Sequence, residues 1–366
     1  MNTFDQPGNN DQPSPVHRRR PRYSGTHPKS FQQKYKEHNI AAHPDLKAHL
    51  RAKGKTPAGT HVPVLIEEVL GCLKPVPGQV IVDCTVGYGG HALEFIKRIG
   101  PAGKLIAFDV DNAELERTRY RLSNETVPVS FYHSNFAGIA NVMKKENLDG
   151  YDIIFADLGV SSMQIDNPDR GISYKHEGPL DMRMDDRLKR TGADLLNNLS
   201  EEELAKAFWE LSDEPDYQKI ARLIVAQRAV QPITQVSQLV RLVFAVKGLT
   251  INSWKKKQRN SKFGSLHPAA RTFQALRILV NDEIGSLKEL LRLAPYCLRP
   301  GGRIGIISFH SGEDRLVKQS FRDGVQAGIY QSATKNAIVP RTREIVSNPR
   351  CSSAKFRWAI KGGLNG

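Results

Sequence analysis

Apolar positions follow two rhythms along this chain, and their alternation predicts the architecture. Short apolar runs at Val80–Val82, Lys104–Asp109, Val129–His133, Tyr151–Leu158 and Arg303–Phe309 read as strands. Between them, apolar residues return every three or four positions. Leu93, Ile96 and Ile99 mark a helix over Ala92–Ile99, and further helices are predicted at Val62–Leu73, Ala113–Leu122 and from about Gly138 to Glu146. Strands alternating with helices of this length predict a parallel, doubly wound α/β sheet.

The alternation stops after Leu158. Gly159–Asp186 reads as a long polar loop, a length uncommon inside a compact domain unless it carries function. Three helices are then predicted, marked by Leu204, Phe208 and Leu211, by Ile220, Leu223 and Ile224, and by Leu239, Val240 and Val243. Ser200-Glu201-Glu202-Glu203 gives the first of them a capping box. Lys255–Lys262 reads as a basic linker leading back to the sheet. One long helix is predicted through Phe273, Leu276, Val280, Ile284, Leu287 and Leu291, then a helix at Gly312–Arg322 and a last strand at Lys355–Lys361. The expected organisation is a sheet domain of residues 58–164 and 265–366, interrupted by an inserted helical domain of residues 165–264.

Charge adds a further segment. The 366 residues carry a net charge of +15, which favours a polyanionic partner. Residues 1–57 hold eleven Lys/Arg against four Asp/Glu and little apolar periodicity, so they read as a disordered basic arm. Such an arm either tethers nucleic acid or merely solubilises. Four scattered cysteines form no metal-ligand or disulfide pattern, so no metal is expected. No run is long and apolar enough for a membrane span, and a cytoplasmic location is the default expectation.

The chemistry gathers at Asp83-Cys84-Thr85-Val86-Gly87-Tyr88-Gly89-Gly90-His91, a glycine-rich turn between a buried strand and a helix. Small residues let the backbone approach a ligand, and free N–H groups at the helix start face it. Gly87–Ala92 also satisfies G-x-G-x-x-A, so a dinucleotide stays open beside a methyl donor. Asp83 followed by Thr85, Gly87 and Gly89 fits the D-x-G-x-G-x-G rhythm of methyltransferases, and a carboxylate there suits the cationic amino-acid end of S-adenosylmethionine. Asp109 closes the second strand where an acidic residue binds ribose in either class, and Asp157 ends the fourth strand beside the same crevice.

The later motifs narrow the choice. His61–Leu65, Asp83–His91, Asp157–Ser162, Arg170–Tyr174, Gly178–Asp185, His267–Arg277 and Ser308–Arg315 together resemble the bacterial small-subunit (16S) rRNA cytosine-N4 methyltransferases. The likeness runs from about Thr60 to Lys361. It implies a Rossmann-like methyltransferase sheet and S-adenosylmethionine held by Gly89, Gly90, His91, Asp109, Phe136, Asp157 and Gln164. It also implies a target cytosine in the decoding centre of the small ribosomal subunit.

A cytosine amine is a poor nucleophile, because its lone pair is delocalised into the ring. An acceptor beside it would localise that pair and take up charge developing on nitrogen. The Asn/Asp-Pro-Pro-aromatic motif of many amino-methyltransferases is replaced here by Asp157-Leu158-Gly159-Val160, so Asp157 and backbone carbonyls of that turn are the candidate acceptors, and His310 at the end of the fifth strand is a second. Methylation at C5 needs an attacking cysteine, usually in a Pro-Cys pair, which the chain lacks. Arg170, Asp181, Arg183 and Arg271 are candidate RNA contacts, set against the alternative of a salt-bridged loop scaffold. Methylation of a different RNA or a protein, and RNA binding without chemistry, are the competing readings. The oligomeric state is not legible in the sequence.

Overall fold

The computed structural model describes residues 63–254 and 266–363. The basic arm, His61, Val62 and the linker Lys255–Lys262 lie outside the described residues.

Seven strands form one sheet in the order β3-β2-β1-β4-β5-β7-β6. They are β1 (Val80–Asp83), β2 (Lys104–Asp109), β3 (Val129–His133), β4 (Tyr151–Asp157), β5 (Leu298–Ser308), β6 (Tyr330–Ala333) and β7 (Lys355–Lys361). The first five are parallel; β7 runs antiparallel to β5, and β6 antiparallel to β7. The doubly wound α/β sheet is thus present with an antiparallel edge. The helix after β5 carries the chain over to β6, which runs parallel to β5, and residues 334–354 then turn it back so that β7 enters between them antiparallel to both.

Every residue of β1 is buried, as a central parallel strand requires. Neighbouring residues point to opposite faces. Val82, Phe108, Ile154 and Ile304 pack on one side of the sheet, and Ile81, Leu105, Ile153 and Phe155 on the other. Helices α1 (Ile66–Leu73), α2 (Gly90–Ile99) and α3 (Asn112–Leu122) help cover the second face. Helix α4 (Ile139–Lys145) lies on the first.

A separate helical cluster follows β4 and the short helix α5 (Ser162–Asp166). It is built from α6 (Gly192–Asn198), α7 (Glu201–Ser212), α8 (Tyr217–Arg228) and α9 (Val236–Val246). The Ser200 capping box forms as expected, while α6 was not anticipated. The segment expected as a polar loop buries Ile172, Leu180, Met182 and Met184, and Leu180 and Met182 belong to the helical core.

The single long helix expected after the linker is two. Helix α10 (Ala270–Asn281) ends at Asp282, whose left-handed φ of +47° breaks the helix before α11 (Glu283–Cys297). Phe273, Leu276 and Val280 pack in the helical cluster, whereas Leu287, Leu290 and Leu291 pack against the sheet. One stripe therefore served two cores. The helical cluster also reaches past the expected 264 boundary through α10. Helix α12 (Ser311–Gln326) follows β5, and α13 (Thr342–Ser347) precedes β7.

Candidate active site

Strand order reverses between β1 and β4, and ligands of open α/β sheets bind outside the strand ends at that switch point. A cavity of about 650 Å³ lies there, bounded by the turn after β1, the ends of β2, β4 and β5, and α10 of the helical cluster. Its size suits a small-molecule ligand.

The glycine turn forms its wall. Gly87 takes φ +46°, and a Cβ there would make only an ordinary contact with the Thr85 carbonyl oxygen at 3.8 Å, so the backbone angle is what favours glycine. Gly89 takes φ +79°, and a Cβ would approach Thr118 Cγ2 to 2.8 Å, so any side chain would drive the turn from α3. Gly90 and His91 line the cavity at the start of α2, while Gly89 stands one step behind it. Asp109 reaches the cavity with both carboxylate oxygens already accepting backbone N–H groups, from Gly87 at 2.8 Å and Asp111 at 2.8 Å. Phe136 opens a short 3-10 turn and lines the same wall.

Asp83 is placed differently from the expectation. It is 1% exposed, does not line the cavity, and accepts the Thr85 N–H at 3.1 Å beneath the turn. Asp157, unlike Asp83, lines the cavity. Its backbone N–H donates to Thr85 Oγ1 at 2.7 Å, and its Oδ2 lies 3.7 Å from His91 Nδ1. His91 Nε2 pairs with the Val64 carbonyl at 2.9 Å, and burial pushes its pKa down to about 4. A neutral imidazole therefore stands beside Asp157.

Carboxyl groups crowd this floor. Burial, reinforced by Asp83, pushes Asp157 up to about 8. Burial also raises Asp83 to about 7, Asp109 to about 6 and Glu114 to about 7. Removing water penalises each charge, and a cationic ligand would relieve that penalty.

Unsatisfied atoms point the same way. Among the described residues, five buried side-chain atoms lack a hydrogen-bond partner: Glu114 Oε2, Asp157 Oδ1, His310 Nε2, Tyr330 Oη and Arg350 Nη1. All but the Tyr330 hydroxyl belong to residues lining this cavity. Buried polar atoms are rarely left unpaired, so their concentration marks a polar ligand site. Glu114 and Arg350 were not singled out from sequence, and no local pattern marked them.

Gln164 completes a capping box with Ser161 at the start of α5 and donates to Asp111 Oδ2 at 3.1 Å, while lining the cavity. Arg170 Nη2 pairs with the same Asp111 oxygen at 2.8 Å, and its Nη1 donates to the carbonyls of Arg183 and Met184. Asp181 and Arg183 form a forked pair at 2.7 and 2.8 Å. Arg271 donates to the Asp213 carbonyl. None of these four candidate RNA contacts lines the cavity. Their hydrogen bonds go to protein groups, and those of Arg170, Asp181 and Arg183 brace the segment that supplies Ile172, Met184 and Leu188 to the cavity lining.

A trio of His133, Asp185 and Asp186 brings possible ligand atoms within 4.8 Å of one another, which no sequence spacing suggested. Arg187 grips both Asp185 oxygens at 2.8 and 2.7 Å, so that carboxylate is already neutralised.

A methyl donor fits what is present: an acidic floor for a sulfonium and an ammonium, Asp109 for ribose hydroxyls, Phe136 for an apolar ring, and an orphaned carboxylate oxygen at the strand end. A dinucleotide fits poorly, because its pyrophosphate would face the same carboxylates.

Comparison with known proteins agrees. The chain is 42% identical over 365 residues to ribosomal RNA small subunit methyltransferase H 1 of Lachnoclostridium phytofermentans, covering 97% of this chain and 96% of that one. It is 43% identical over 350 residues to ribosomal RNA small subunit methyltransferase H 2 of Alkaliphilus metalliredigens, covering 94% and 97%. The profile of the MraW methylase family matches residues 58–362. On that match and on these identities, the chain belongs to the MraW methylase family and is a methyltransferase.

Proposed function

We propose that the protein transfers a methyl group from S-adenosylmethionine to the exocyclic N4 amine of a cytosine in the decoding centre of 16S rRNA. The observation that carries this reading is the orphaned Asp157 Oδ1, at the switch point of the sheet and on the floor of an acidic cleft. The names of the relatives support small-subunit rRNA as the substrate.

When bound, the donor supplies an activated methyl on its sulfonium. The residues of the chain position the partners. Asp109 would accept from ribose hydroxyls, Gly90 and His91 let the donor approach the start of α2, and Phe136 covers an apolar ring. Gln164 keeps one amide hydrogen beyond its bond to Asp111 for the same ligand. Asp157, ionised once a cation is present, accepts a hydrogen bond from the amine and so localises the nitrogen lone pair. Holding nitrogen in line with the methyl carbon provides much of the acceleration. The target base has to leave its stack to enter a cleft walled by the helical cluster.

The substrate is a polyanion, and the basic arm supports RNA tethering. Among the described residues no helix is long and apolar enough to cross a membrane, which is compatible with action on ribosomal subunits in the cytoplasm. The decisive experiment is methyl transfer from labelled donor to small subunits that lack base methylation, with the product mapped by mass spectrometry. N4-methylcytosine at a decoding-centre position supports the proposal. Label on another base or on protein rejects it.

A further inference from the structure

His310 was expected as an acceptor, and its hydrogen bonding gives it the opposite character. The residue is the N-cap of α12, and its Nδ1 accepts the backbone N–H of Glu313 at 3.4 Å. A ring nitrogen that accepts carries no proton, so the proton is assigned to Nε2. Glu313 holds the ring in place. Its Oε2 accepts from the backbone N–H groups of Phe309 and His310 at 2.9 and 3.3 Å. Burial works against the Glu313 charge, but the contact with His310 and the Phe309 N–H hold its pKa below the ordinary value. Gly312 leaves room for the ring: a Cβ there would meet His310 Nδ1 at 3.1 Å and Cε1 at 3.2 Å.

His310 Nε2 is buried and has no hydrogen bond, although Glu313 Oε1 lies 3.3 Å away. Asp157 Oδ1 is orphaned in the same cavity. The two residues sit on adjacent strand ends. Asp157 pairs with Ile307 across β4 and β5, and the Leu158 N–H donates to the Ile307 carbonyl at 2.9 Å, three residues before His310. Asp157 Oδ1, an acceptor without a hydrogen bond, and His310, whose Nε2 has only the Glu313 carboxylate nearby, thus line one cleft from adjacent strand ends.

We propose that Asp157 and His310 read the Watson–Crick edge of the target base, Asp157 accepting from its exocyclic amine and His310 Nε2–H donating to the adjacent ring acceptor. The inference rests on the cytosine-N4 reading above and names the residues that select the base. Cytosine offers an amine donor beside the N3 and O2 acceptors. Uracil reverses the first two groups, placing O4 against the carboxylate and N3–H against the His310 proton. At these buried side-chain atoms that mismatch strands two polar groups on each side. Adenine shares the donor–acceptor order, so its exclusion belongs to the shape of the cleft.

Three variants separate this role from helix capping. His310→Asn keeps a good N-cap but draws its amide back from the cleft. His310→Gln keeps a donor at longer reach, and His310→Glu offers only acceptors. Transfer to small subunits should fall about ten- to a hundredfold in His310→Asn and His310→Glu and remain within a few-fold of wild type in His310→Gln. Donor affinity by calorimetry should stay unchanged in all three. Nitrogen NMR of the His310 ring should show the proton on Nε2 in the unmodified protein. Full transfer by His310→Asn would reduce the residue to a cap. Equal transfer by His310→Glu and His310→Gln, or a proton found on Nδ1, would also overturn the proposal. Should the unmodified protein leave no N4-methylcytosine, the target reading fails, while the NMR result still decides whether His310 is a donor.

Discussion

Donor binding should release a proton, because Asp157 is protonated in the free cleft and charged beside a cation. With its pKa at about 8, the carboxyl is mostly neutral at pH 7. If only the ionised form holds the donor, the binding constant carries a factor that shrinks from about 100 at pH 6 to about 4 at pH 7.5, so affinity rises about 25-fold across that window. The window stops short of pH 8, because the donor's own amine titrates at about 7.7–8.0. Calorimetry in buffers of different ionisation enthalpy should show nearly one proton released at pH 7, and Asp157→Asn should abolish most of that release and flatten the pH dependence. The same shift has a sign for stability without donor. A carboxyl whose folded pKa is raised stabilises the fold most at low pH, and that contribution declines from about pH 4 to about pH 8. Thermal unfolding of the donor-free protein should therefore move down in temperature across that range, less steeply in Asp157→Asn. Donor affinity independent of pH, or an Asp157→Asn variant with the parent's slope, would refute the assignment and shift attention to Asp83 or Glu114.

Asp109→Ala should abolish donor binding by calorimetry if Asp109 accepts from the ribose hydroxyls as proposed, and the variant also loses the tie to the turn through Gly87; undiminished affinity would remove it from the site. Gly89→Ala should cost about 1–3 kcal/mol in chemical denaturation, because φ +79° and the 2.8 Å approach to Thr118 must both be relieved. Deleting residues 2–57 should leave donor affinity intact and lower the salt dependence of RNA binding, so identical salt slopes would exclude the arm as a tether. Arg183→Ala, which frees the Asp181 carboxylate, should reduce methyl transfer more than donor affinity; an equal loss of both would place its role on the donor side.

Much of this protein was written in local order. The β1 run Val80-Ile81-Val82, the glycine turn and the closing acids Asp109 and Asp157 are consecutive or evenly spaced, so burial periodicity and strand-end position located them without a structure. Tertiary structure decided what depends on partners distant in sequence. The stripe from Phe273 to Leu291 has one helical period, yet only packing shows that its halves serve two cores divided at Asp282. Periodicity records that a face is buried, not against what. Asp83 and Asp157 look equivalent as strand-end acids, but the register sets Asp83 opposite Phe155, two residues short of Asp157, so one lies beneath the turn and the other reaches the cleft. His310 could be acceptor or donor by composition. The backbone N–H at the start of α12 fixes its Nδ1, and that choice between tautomers exists only once the helix is in place. Glu114 and Arg350, more than two hundred residues apart, became visible as one site only through the buried atoms they leave unpaired.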